Sequence, residues 1–213
     1  MLIIDSFRFF DIELFWRINA ANSPFLDTFF SIVTNLGSGW MAIPIIAAIV
    51  LLKTPRPALM HTVIFIALAM SLSGIANSRI KSLVARPRPQ TYFAHVRAKA
   101  LESGADLGSQ PGPQSLIPHV VGPQWKFRSF PSGHANTSFA AATVLYLLLG
   151  GWWALGYAAA ALVAYSRVYM GVHFPLDTVA GGLLGISVTT LVFYAYSAWM
   201  YDFARERRTR MTR

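Results

Sequence analysis

An all-α, polytopic membrane bundle of five or six spans, preceded by N-terminal interfacial helices, is the fold the sequence predicts. Three observations predict it. The 213 residues are 54% hydrophobic and only 13% charged, about half the charged share of an ordinary soluble domain. The apolar residues gather into five stretches, each long enough, at about 17 to 25 residues, to cross a hydrocarbon core about 30 Å thick. Five arginines (Arg205, Arg207, Arg208, Arg210, Arg213) fall within the last nine residues, where they anchor a chain at a membrane surface.

Taken in order, residues 1–36 read as two interfacial segments. Asp5, Arg8, Asp11, Glu13 and Arg17 interrupt the apolar core that a cleavable signal peptide needs. Ile3, Phe7, Phe10, Leu14 and Ile18 recur at helical spacing, and Phe9, Phe15 and Trp16 add aromatic side chains suited to the headgroup level. Asn22, Ser23 and Pro24 break this helix, and Phe25 to Leu36 forms a second amphipathic segment carrying Asp27. A sixth span hidden in these residues is the open alternative. Residues 37–80 hold the first two spans, near Leu36 to Leu52, which contains Pro44, and His61 to Ser78. Residues 81–132 form a long loop rich in Pro, Gly and Gln, with a short helix expected over His95 to Ala105. Loops of this length inside a compact domain tend to be functional, so a partial lid is expected. Residues 133–200 supply three more spans, near His134 to Gly150, Trp152 to Met170 and Thr178 to Met200, and 201–213 are the basic tail.

The chain is thus one domain without repeats. It has no cysteine, which removes disulfides, thiolate metal sites and a thiol nucleophile from consideration. Its net charge of +9 does not require nucleic acid, because the tail accounts for much of it. Lys53 and Arg56 after the first span and the tail after the fifth fall on one side, which the positive-inside bias makes cytoplasmic. The long loop then faces outward from an inner membrane. A second basic group, between Arg79 and Arg128, needs a local explanation.

Three clusters border the outward ends of the spans. In the first, Lys81 and Arg88 are seven residues apart, two helical turns, so a helix ending near Ala85 aims both cations at one point. Taken alone, such charges also describe snorkelling at a membrane surface. In the second, Phe130-Pro131-Ser132-Gly133-His134 opens an apolar helix. Ser132 is suited to cap it, Gly133 admits an anion close to the backbone, and the free N–H groups of a helix start bind phosphate. His134 is placed to donate a proton to a departing oxygen, or is an incidental histidine beside a cap. In the third, Arg167 lies near the end of an otherwise apolar span, where an ionisable residue is a functional candidate. His173 and Asp177 are four apart across a helix start with Pro175 in its first turn, so the carboxylate reaches back to the imidazole and fixes its tautomer. The bland alternative is a favourable first-turn charge. Together the clusters bring cations, an anion-binding helix start and two histidines to one side of a membrane, an inventory suited to phosphoryl transfer. A metal hydrolase fits less well, since Asp177 is the only acid beside the histidines.

Lys81 followed after six residues by Arg88-Pro89, then Pro131-Ser132-Gly133-His134, then Ser166-Arg167 with five residues before His173 and three more before Asp177, resembles the tripartite signature of the type 2 phosphatidic acid phosphatase superfamily. That superfamily embraces lipid phosphate phosphatases, bacterial undecaprenyl pyrophosphate phosphatases, bacterial acid phosphatases and vanadium haloperoxidases. The resemblance covers roughly residues 79–182 and includes every signature position. It implies that His173 attacks phosphorus and forms a phosphohistidine, with Asp177 orienting it. His134 would protonate the leaving oxygen and then activate water, and Lys81, Arg88, Arg167, Ser132 and Gly133 would bind the phosphate. No metal or organic cofactor is implied. The expected substrate is a membrane lipid phosphate, undecaprenyl pyrophosphate first, with phosphatidylglycerol phosphate, phosphatidic acid and lipid A as alternatives. A haloperoxidase would share the pocket, but members of that class lack membrane spans. A non-catalytic lipid-phosphate binder or transporter would need the cations and not the acid, the base and its orienting group.

Overall fold

A computed structural model describes residues 2–123 and 126–211, with side chains described for 8–123 and 126–201. Among these residues the chain is helical, without a named strand; the one isolated β-bridge joins Gly112 and Ile117. The helices are α1 (Leu2–Asn19), α2 (Pro24–Val33), α3 (Gly39–Lys53), α4 (Arg56–Val84), α5 (Pro89–Glu102), α6 (Gly133–Leu149), α7 (Gly156–Tyr169) and α8 (Pro175–Met211). Short 3-10 turns, Thr34–Gly37 and Gly151–Leu155, join α2 to α3 and α6 to α7. The side chains of the basic tail, and of Ile3, Asp5 and Phe7, lie outside the described residues.

Each of the five apolar stretches is a helix, but two helical runs, Arg56–Glu102 and Pro175–Tyr201, are long and apolar enough by themselves to cross a membrane. A third crossing results if Pro24–Gly37 and Gly39–Lys53, bent by 63°, count as one broken span. The first stretch, expected as a span over Leu36 to Leu52, begins in a 3-10 turn and bend that precede α3, which carries Pro44 inside it. The third and fourth stretches form helices of 17 and 14 residues, the latter shortened because Gly151–Leu155 winds as a 3-10 turn after Gly150 and Gly151 adopt positive φ.

At the centre lies α6, packed against α3, α4, α7 and α8. Two glycines one turn apart on α8 permit the closest approach: a Cβ at Gly181 would strike the Ser132 carbonyl, and one at Gly185 the Asn136 carbonyl. Small residues four apart are how backbones meet where lipid supplies no hydrophobic drive. From α4, Phe65, Ala69, Ser73 and Asn77 turn inward at four-residue spacing, while Val63, Ile64, Leu68, Leu72 and Ile75 face outward and exposed. That outer face suits hydrocarbon. The inward stripe continues to Lys81, because α4 runs one and a half turns beyond the expected end at Ser78.

The N-terminal helix departs from a purely interfacial placement. Asp11, Phe15 and Asn19, four residues apart, are fully buried, whereas Phe9 and Phe10 are exposed. Asp11 is bonded to Arg86, between α4 and α5, and to Leu176 at the start of α8, and Asn19 to His119, after α5, and Tyr169 at the end of α7, so α1 packs over the end of the bundle. In the long loop, the helix expected over His95 to Ala105 instead begins at Pro89 and ends at Glu102. Pro89 opens it because a fixed φ and a missing N–H cost nothing at a first helical position.

Candidate active site

His173 sits in the short connection between α7 and α8, 2% exposed, and Asp177 in the first turn of α8 is fully buried. His173 Nδ1 and Asp177 Oδ2 are 3.6 Å apart, longer than a hydrogen bond. The carboxylate's closer partners are others. Ser129 Oγ donates to Oδ2 and lies 3.4 Å from His173 Nδ1, the Phe174 N–H donates to Oδ2 at 2.9 Å, and Arg86 donates to Oδ1 at 2.6 Å. With Nδ1 facing this cluster, Nε2 is the nitrogen left for other chemistry. Burial pushes the imidazole down to about 4 from its ordinary 6.5, against the pull of Asp177 and with the help of Arg88 and Arg167. At neutral pH the ring is uncharged and holds a free lone pair.

A second group of residues surrounds the start of α6. Ser132 stands at its N-cap position, and the first helical hydrogen bond runs from the Asn136 N–H to the Ser132 carbonyl at 3.0 Å. The N–H groups of Gly133, His134 and Ala135 therefore precede the helical ladder. A Cβ at Gly133 would lie 3.6 Å from Asn77 Nδ2 and 4.0 Å from Lys81 Nζ, which puts the inward stripe of α4 beside the helix start. Arg167, near the end of α7, donates to Thr34 Oγ1 at 2.7 Å. Arg88 is aimed by bonds to the Val172 carbonyl at 3.1 Å and the Phe127 carbonyl at 3.3 Å. The charges of Arg167, Lys81 and Arg88 all act on His134, as does His173.

Three buried polar atoms here have no hydrogen-bond partner: Asn77 Oδ1, Ser132 Oγ and Arg167 Nε. A fourth, Thr189 Oγ1, lies well along α8 from the site. Buried polar atoms are nearly always paired, so three unpaired ones beside a helix start mark a candidate site for a polar ligand.

All eight residues singled out in the sequence thus converge on one end of the bundle. One local expectation changes: the Ser132 hydroxyl does not cap α6, since it makes no side-chain capping bond. The backbone of Ser132 is instead tied to α8, its N–H donating to the Asp177 carbonyl at 2.8 Å, and the hydroxyl is left free. Sequence reasoning missed Asn77, Arg86, Ser129, Thr34 and Asp11. Asn77 carried a signal, being a polar residue one turn before Lys81 on an apolar helix, and Arg86 stands inside the first cluster. Thr34 and Asp11 carried none, because only tertiary folding brings their segments here.

Residues 62–201 match the PAP2 superfamily. The chain is 32% identical over 183 residues to an undecaprenyl-diphosphatase of Sulfolobus acidocaldarius, covering 85% of this chain and 76% of that protein. It is 30% identical over 206 residues to a lipid A 4'-phosphatase of Bacteroides thetaiotaomicron, covering 93% and 78%. Its fold is similar to the crystal structure of Aquifex aeolicus LpxE, with a TM-score of 0.64, 30% identity, and 86% of this chain and 94% of that one covered. A signature-bearing match across two thirds of the chain, with helices and site residues arranged as described, makes this protein a member of the PAP2 superfamily.

Proposed function

We propose that this membrane phosphatase removes a phosphate group from a lipid through a phosphohistidine on His173. The observation that carries the reading is the trio of unpartnered atoms, Asn77 Oδ1, Ser132 Oγ and Arg167 Nε, gathered with a helix start and three cations beside a neutral, buried histidine. Lys81, Arg88 and Arg167, with Ser132 and the backbone of Gly133, bind the phosphate oxygens. His173 Nε2 attacks phosphorus, an N–P bond forms and the bond to the leaving oxygen breaks, and His134, protonated beside the charge of the bound phosphate, gives that oxygen its proton. Neutral His134 then takes a proton from water, whose oxygen attacks phosphorus. The N–P bond breaks, phosphate leaves, and both histidines return to their starting state. Asp177, 3.6 Å from Nδ1, orients the His173 ring from that side.

Undecaprenyl pyrophosphate is the proposed substrate, supported by the likeness to the Sulfolobus acidocaldarius undecaprenyl-diphosphatase. A second reading, lipid A phosphate, is favoured by the likeness to the Bacteroides thetaiotaomicron lipid A 4'-phosphatase. A panel in liposomes comparing prenyl pyrophosphates, lipid A, phosphatidic acid and phosphatidylglycerol phosphate decides between them. Fastest release from the prenyl pyrophosphate supports the first reading, and fastest release from lipid A replaces it with the second.

In the same proposal, the five apolar stretches, and a sixth if residues 1–36 hold one, cross the inner membrane with the site outward and the tail cytoplasmic. The 81–132 segment then roofs the site, and substrate tails remain in lipid, since each methylene drawn into water costs about 0.8 kcal/mol. Cysteine introduced at Ser109 of this cysteine-free chain should react with an impermeant thiol reagent outside intact cells, and one at Thr209 should not. The opposite labelling would place the site on the cytoplasmic face.

A further inference from the structure

Asp11 stands on the N-terminal helix, 70 residues before Lys81, yet its side chain is fully buried. Burying a carboxylate costs several kcal/mol unless it is paired, so its partners define its task. Asp11 Oδ2 accepts from Arg86 at 2.6 Å, and Oδ1 accepts from the Leu176 N–H at 2.8 Å. The other arm of the Arg86 guanidinium donates to Asp177 Oδ1 at 2.6 Å. Its planar fork therefore spans two carboxylates. The guanidinium also lies 4.3 Å from the centroid of the Phe174 ring, next in sequence to His173, and Phe15, one turn on from Asp11, packs on the same ring at 5.4 Å. The Arg86 carbonyl accepts from the Ser129 N–H at 2.9 Å, and it is Ser129 whose hydroxyl holds the second oxygen of Asp177.

A clamp between α1 and α8 would need only the Asp11–Leu176 bond. The arrangement goes further, because the second arm of Arg86 reaches Asp177 and its guanidinium lies over Phe174, both on the segment that carries His173. Ser129 and the Phe174 N–H hold one carboxylate oxygen, and without Arg86 the other would have no charged partner to fix the plane of the group. We propose that Arg86 is a positioning residue: clamped by Asp11, it locks the Asp177 carboxylate so that Oδ2 faces His173, which makes the N-terminal helix a working part of the active site. This rests on the reading of His173 as nucleophile.

The test uses the full chain in detergent, with Arg86→Gln, Arg86→Lys, Asp11→Asn and the Arg86→Gln/Asp11→Asn double variant, and His173→Ala as the control. Phosphate release is followed from a prenyl pyrophosphate, or from phosphatidic acid if that is turned over faster. Arg86→Gln should lower kcat about 10- to 100-fold, the scale of a small misplacement of a reacting group, with KM changed by less than about twofold. Asp11→Asn should do the same to a smaller degree, and the double variant should be no worse than Arg86→Gln, because Asp11 acts through Arg86. Arg86→Lys should rescue part of kcat. The acid limb of kcat/KM should also move to higher pH in Arg86→Gln. Asp177, Ser129, Arg88, Arg167 and His134 face or act on His173, and an Asp177 charge no longer shared with Arg86 would favour the imidazolium.

Folded variants with wild-type kcat, or a loss confined to KM with an unmoved pH profile, would overturn the proposal and leave a structural clamp. If Arg86→Gln does not fold, Arg86→Lys and Asp11→Asn are judged by the same readouts. Full activity in His173→Ala would instead remove the reading of the site on which the proposal rests.

Discussion

Arg167 and Tyr169 stand two residues apart at the end of α7 and belong to regions that are finished in opposite ways. Around Tyr169, the polar side chains are answered. Asn19 donates to the His119 and Tyr169 carbonyls at 2.7 and 2.8 Å and accepts from the His119 N–H at 2.9 Å. Asp27 Oδ1 accepts from the Tyr169 hydroxyl at 2.7 Å and meets His119 Nε2 at 2.9 Å. Around Arg167, Nε is buried without a partner, as are Asn77 Oδ1 and Ser132 Oγ nearby. Hydrogen bonds that hold a fold are completed within it, since an unmade buried one costs about 1–3 kcal/mol. Among the described residues only Thr189 Oγ1 is otherwise left open, so these three, gathered in one place, are suited to a polar ligand. The first region ties the loop after α5 to the N-terminal helices, and the second carries the open groups of the candidate site.

The largest effect should come where the open region meets chemistry. His173→Ala should reduce turnover by at least about 10³-fold while the protein remains folded and monodisperse, because the proposed mechanism gives the attack on phosphorus to its Nε2. Next, Arg167→Ala should lower kcat/KM about 100-fold, and Arg167→Lys should recover only part of it, since a point charge does not reproduce the guanidinium fork. Both are read from steady-state kinetics on one lipid substrate. A drop in Tm without a kinetic loss in either variant would move that residue into the region of completed bonds.

The complementary variant is Asn19→Ala. It leaves the His119 N–H and two carbonyls unanswered and should destabilise the fold by about 1–3 kcal/mol, seen as a lower Tm, with the phosphate affinity of the folded protein unchanged. A smaller effect follows from the buried neutral His173, pushed down to about 4. The unfolded chain takes up this proton first, near 6.5, so the contribution to stability is intact above that pH and is lost as pH falls through about 4. The fall in Tm across that window should therefore be shallower in His173→Asn than in the wild type.

What the sequence made legible follows from how each feature is encoded. The five apolar stretches and the three clusters are local, so composition and spacing placed the helices and singled out the eight candidate residues. The end of α4 was misjudged because hydropathy fades at Ser78 while the helical stripe continues through Lys81 to Val84. The role of α1 was hidden for another reason. Its apolar periodicity points to Phe10, Leu14 and Ile18, but the buried face is Asp11, Phe15 and Asn19, and a buried acid is intelligible only once Arg86 and Leu176 are seen beside it. Ser129 and Thr34 likewise acquire meaning from partners 48 and 133 residues away.

The most direct test of a phosphate site built around a nucleophilic histidine is to trap the intermediate. Enzyme mixed with substrate labelled in the transferred phosphate, quenched at alkaline pH where phosphohistidine survives, and digested for mass spectrometry should carry the label on His173. The label should lie on Nε2, because Nδ1 faces Asp177 and Ser129, and it should be absent from His173→Ala. Label on His134, or turnover with no covalent phosphate at any time point, would contradict the account.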